Sequence, residues 1–154
     1  MKTLHQWLTE YGESHQNETN KLIHWICVPL IFFSVLAMLY SIKLPWIIQG
    51  YQLNVGIIIA LLVLIYYASL SVSLSMGMIL FVSLCIGLCI LIEQSNTVPL
   101  WLFALIIFVA AWIAQFYGHK VEGKKPSFFK DLQFLMIGPA WLMSFVYKKL
   151  GIAI

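Results

Sequence analysis

Residues 44–92 read LPWIIQGYQLNVGIIIALLVLIYYASLSVSLSMGMILFVSLCIGLCILI, 49 residues in succession without a charged side chain. As one helix this stretch would be about 73 Å long, against a bilayer hydrocarbon core of about 30 Å. It must therefore fold back on itself. The alternating serines Ser69, Ser71, Ser73 and Ser75, followed by Gly77, mark the reversal and imply spans over 54–70 and 74–92. Pro45, Trp46, Gly50 and Tyr51 at its start read as an interfacial loop with aromatic anchors.

The rest of the chain agrees with a lipid solvent. Of 154 residues, 62% are hydrophobic and 10% charged, where a soluble domain carries about 25% charged residues. The expected architecture is a single all-α integral membrane domain, 1–154. It is a compact bundle of four to five transmembrane helices with an N-terminal amphipathic helix. Leu4, Trp7, Leu8 and Tyr11 fall at helical spacing and form the apolar face of that first helix. Asn17 reads as the N-cap of the next helix, with Glu18 in its first turn. A first span follows over 22–42, with Pro29 near its start.

Glu93-Gln94-Ser95-Asn96-Thr97 is a polar loop. Pro99 then opens a span over 98–118. The last apolar segment, 132–147, carries Gly138-Pro139 at its centre and fits either a kinked fifth span or a re-entrant hairpin. The start of the chain lacks the pattern of a cleaved secretory signal. Cys27, Cys85 and Cys89 all lie in apolar segments and read as small hydrophobes. The positive charge comes from nine lysines and no arginine, which argues against nucleic-acid binding.

Six of the lysines (Lys2, Lys21, Lys120, Lys124, Lys125 and Lys130) fall on the side shared by the N-terminus and the 118–131 loop. Without an organelle signal in the sequence the expected location is a bacterial inner membrane, and the positive-inside rule makes that side cytosolic. It also brings together the polar stretch His15-Gln16-Asn17-Glu18-Thr19-Asn20-Lys21-Leu22-Ile23-His24 and, at the far end of the apolar region, His119. Asn17, Asn20 and His24 share one helical face. Gln115, His119 and Glu122 repeat the same spacing.

His15 and His24 are nine residues apart. On one straight helix they would point to opposite sides about 13 Å apart, and a chain break at Ser14–Asn17 removes that obstacle. The three histidines are candidate metal ligands, and catalytic residues on that account. Glu122 is either a carboxylate ligand or the partner of a ring N–H, and Asn17, Asn20 and Gln115 orient the rings. Imidazole suits iron, zinc, copper and nickel. Histidines with a carboxylate and open positions suit non-haem Fe(II).

Blander readings stay open. Interfacial histidines also cap helix ends, positive-inside sorting alone accounts for the lysines, and His5 sits on a surface helix without polar company. A non-enzymatic binding or transport protein, a haem protein and a scaffold with a histidine metal site are the competing functions. The lack of ionisable residues in mid-membrane speaks against ion transport.

Two motifs carry a resemblance. Tyr11…His15-x-Asn17-x-x-Asn20-x-x-Ile23-His24-x-x-x-Val28-Pro29 is followed by Gln115-Phe116-x-Gly118-His119-x-x-Glu122-Gly123-x-x-Pro126. Over essentially the whole chain this resembles the membrane 2-hydroxy fatty acid dioxygenase family, known from fungal fatty acid alpha-oxidation. The resemblance implies Fe(2+) as cofactor, held by His15, His24 and His119. It also implies a 2-hydroxy fatty acid and dioxygen as substrates, with loss of one carbon. Lys120, Lys124 and Lys125 are the candidates for steering the substrate carboxylate. Fungal members have a second histidine where this chain has Gln16, and their glutamate falls one residue after Glu122.

Overall fold

A computed structural model describes residues 2–48, 50–123 and 134–154. The described residues form six helices and one short hairpin. Helix α1, Leu4–Gly12, starts with a capping box in which Thr3 and Gln6 satisfy each other's backbone amides. Helix α2, Glu18–Tyr40, is N-capped by Asn17, whose Oδ1 accepts from Thr19 N and Asn20 N.

The segment expected to be an interfacial loop is instead a two-stranded antiparallel hairpin, β1 (Lys43–Ile48) and β2 (Tyr51–Asn54). Helix α3, Val55–Leu70, follows directly, with Asn54 as its cap. The backbone reverses at one extended residue, Ser71, whose hydroxyl caps α4, Val72–Ser95. Helix α5 is Leu100–Val121, and α6 is Ile137–Leu150.

Contacts at the helix ends fix the direction of each pass. Gly56 at the start of α3 lies against the backbone of Tyr40 at the end of α2. Lys43 forms an ion pair of 2.7 Å with Glu93 at the end of α4. The last turn of α5 returns to the first turn of α2, where Gly118 faces Asn20 and Ile23. Helices α2 to α5 therefore run alternately up and down. At the α2-start end, α6 places Gly138 beside Val28 and Tyr11, and Tyr147 on α4, where its hydroxyl donates to Ser73 O and accepts from Gly77 N.

Among the described residues, three helices are long and apolar enough to cross a membrane: α2, α4 and α5, with 23, 24 and 22 residues. Helix α3 is also apolar but has only 16 residues. The bundle surface is itself apolar, with Ile65 at 65% and Leu80 at 74% exposure. Such a surface is stable only against lipid or another apolar partner.

Inside, Phe32, Phe33, Leu36 and Tyr40 of α2 pack with Ala60, Val82, Cys85, Cys89, Leu100 and Ala104. Small residues at the crossings let the backbones approach closely, as membrane helix packing requires. All three cysteines are free and buried.

Candidate metal centre

The turn between α1 and α2 is tightly wound. Ser14 N donates to Tyr11 O and His15 N to Gly12 O, while the Gln16 side chain donates to Gly12 O. This folds His15 back beneath α1. Its ring stacks on Tyr11 at 4.2 Å between centroids and 12° between planes, with Trp141 of α6 closing the side at 5.4 Å. His24 comes from the second turn of α2 and His119 from the last turn of α5.

Ring centroids are 4.2 Å apart for His15–His24, 5.1 Å for His24–His119 and 5.8 Å for His15–His119. One nitrogen from each ring lies within 4.8 Å of the others, and all three residues are buried. Three interfacial histidines capping separate helix ends would not converge in this way.

Two tautomers are set by the backbone. His15 Nδ1–H donates to Tyr11 O at 2.6 Å, and His24 Nδ1–H donates to Asn20 O at 2.9 Å. A carbonyl can only accept, so in both rings Nε2 keeps its lone pair. This is the arrangement by which an outer carbonyl fixes a metal-binding imidazole. His15 Nε2 is buried and has no hydrogen-bond partner among the described residues. An apolar structural role leaves such an atom unexplained, whereas a metal ion satisfies it. Burial holds the His15 ring below its ordinary pKa, against the opposing pull of the Tyr11 carbonyl. The neutral ring is the metal-binding form. The donor set therefore fits a transition-metal ion.

Glu122 does not join this cluster among the described residues. Its Oε1 accepts from Gln16 N at 2.8 Å, and its Oε2 accepts from Asn17 N at 2.9 Å and Asn20 Nδ2 at 3.0 Å. The carboxylate thus ties the end of α5 to the turn carrying His15. Desolvation pushes its pKa up, but the three donors and the nearby His15 outweigh this and hold it below the ordinary value.

Asn20 is completely buried and joins Ser14 O to Glu122. Asn17 is occupied as a helix cap. Gln115 is buried and lines a narrow cleft of about 20 Å³ with Tyr11, His24, Val28, Ile31, Trp112 and Phe134. Lys120 is exposed one residue beyond His119; Lys124 and Lys125 lie outside the described residues. His5 is exposed on α1, 3.4 Å from Thr9 Oγ1 and apart from the cluster. Trp141 carries no sequence signal for its place beside His15, since its segment reads only as apolar and Gly-Pro-broken.

The model of the Mpo1-like family, described as 2-hydroxy-palmitic acid dioxygenase Mpo1-like, matches residues 1–150. The chain is similar to the 2-hydroxy-palmitic acid dioxygenase MPO1 of Saccharomyces cerevisiae. The two are 33% identical over 144 residues, covering 92% of this chain and 78% of the yeast protein. No solved structure matches the chain. With a buried three-histidine cluster at one end of the bundle and a family match over nearly its full length, this chain belongs to the Mpo1-like 2-hydroxy-palmitic acid dioxygenase family.

Proposed function

We propose that the protein is an Fe(II)-dependent dioxygenase that shortens 2-hydroxy fatty acids by one carbon. The observation that carries this reading is the convergence of His15, His24 and His119 in a chain of this family. The overall change is RCH(OH)COOH + O2 → RCOOH + CO2 + H2O. The C1–C2 bond breaks, the substrate is oxidised and dioxygen is reduced. Bound ferrous iron supplies chelation of the 2-hydroxy carboxylate and activation of dioxygen.

The protein's own contribution is geometric. The carbonyls of Tyr11 and Asn20 keep two ring nitrogens aimed at one point. Tyr11 and Trp141 cover His15 and exclude water from its face. Gln115 offers an amide at the wall of the cleft for the substrate's polar end. Lys120, exposed next to His119, draws the carboxylate by charge, with Lys124 and Lys125 as further candidates by sequence.

The chain would cross a bacterial inner membrane four times, with α1 and α6 at the cytosolic boundary beside the site. This is the small end of the four to five crossings expected from sequence. It is favoured because α6, with 14 residues, is about 21 Å long and keeps its last turn against the first turn of α4. The substrate then enters from the lipid and never leaves the bilayer.

The test is turnover of 2-hydroxy-palmitic acid by purified protein in detergent or nanodiscs, with oxygen uptake and product analysis. The expected result is a fatty acid one carbon shorter, activity lost on chelation and regained with Fe(II). Full activity after exhaustive chelation would contradict it.

A further inference from the structure

From His24 the apolar side chains of α2 continue in a line. His24, Val28, Ile31, Val35 and Leu39 follow one another at intervals of four, three, four and four residues. That spacing keeps them on one helical face. The first three line the cleft at the histidines. Val35 and Leu39 line a second cavity of about 90 Å³, bordered on the other side by Ile59, Ala60 and Val63 of α3. Leu135 borders both cavities. The rise from His24 to Leu39 along the helix is about 22 Å. One end of this path is polar, at His24 and Gln115; the other is apolar.

Resting on the dioxygenase reading, we propose that this face of α2, from the cleft at His24 to the cavity at Ala60 and Val63, is the acyl-chain site. The carboxyl end of a long saturated fatty acid sits at the histidines, and its tail runs along α2 to the pocket formed with Ala60 and Val63. A chain entering from the bilayer gains no hydrophobic free energy, because lipid is as apolar as the groove. What the groove supplies is register. Its far end limits how deep the tail goes, and so sets whether C1 and C2 reach the metal. Ala60 and Val35 then determine chain-length preference.

A second apolar groove, lined by Trp25, Pro29, Met78, Phe81, Leu142 and Met143 among others, includes none of the histidines or Gln115 and is the natural control.

The experiment uses a 2-hydroxy fatty acid carrying a diazirine at its terminal carbon, photolysed with the full-length protein in nanodiscs and mapped by mass spectrometry. Label on Val35, Leu39, Ala60 or Val63 is expected. Label on Met78 or Met143, or spread over lipid-facing residues such as Leu80 and Leu84, would overturn the proposal. This readout needs no turnover, so it stands apart from the fate of the dioxygenase reading.

In parallel, Ala60→Phe and the milder Val35→Phe should lower the ratio of kcat/KM for long over short 2-hydroxy acids at least tenfold. An unchanged ratio in an active, folded variant would likewise overturn the proposal.

Discussion

Both oxygens of Glu122 are engaged by the turn that carries His15. A neutral amide has one acceptor oxygen and would turn its NH2 toward a backbone donor. Glu122→Gln should therefore loosen His15 and reduce iron affinity or turnover by about 10–100-fold, the usual size of an outer-partner effect. His24→Ala and His119→Ala should abolish activity, and His5→Ala should be mild. Iron titration and turnover across the four variants check this order, and complete loss of iron in Glu122→Gln would make the carboxylate a ligand. Asn17 as helix cap was legible in the sequence because its side chain competes so well for the first amides of a helix. The role of Glu122 was not legible, because backbone amides as partners leave no mark on residue identity. The same is true of the carbonyls that hold the two imidazoles.

At the scale of elements, the site depends on how closely α5 approaches α2. A Cβ on Gly118 would lie 2.5 Å from Asn20 Oδ1. Gly118→Ala should cost about 1–3 kcal/mol, as overpacking does, and should lower iron content because His119 moves with it. At the opposite end, a Cβ on Gly56 would lie 2.6 Å from the backbone nitrogen of Tyr40. Gly56→Ala should cost a similar amount yet leave iron content unchanged. Thermal unfolding and metal analysis of the two variants separate these outcomes; equal effects on iron would break the link between the α2–α5 crossing and the metal. The reversal near Ser71 was legible from the uncharged run and its serines. The hairpin over residues 43–54 was not, because its strands lack the alternation of a half-buried sheet. Beside an apolar phase its backbone groups must find partners, and pairing with each other is the local way to do so.

For the whole molecule, the central fact is that one end of the bundle gathers α1, the first turn of α2, the last turn of α5 and α6 around three buried imidazoles. Charge asymmetry and span counting already placed His15, His24 and His119 on one side; only packing shows that their rings come within ligand distance of one another. The lid from Tyr11 and Trp141 was hidden in sequence, since aromatic residues in an apolar chain read as core or interface anchors. The most direct test is the metal content of the purified protein, measured for the wild type and His24→Ala after reconstitution with Fe(II) and removal of excess. The wild type should hold one iron per chain and His24→Ala almost none. Iron retained in His24→Ala, or a wild type that oxidises 2-hydroxy acids without any bound metal, would contradict the three-histidine iron site.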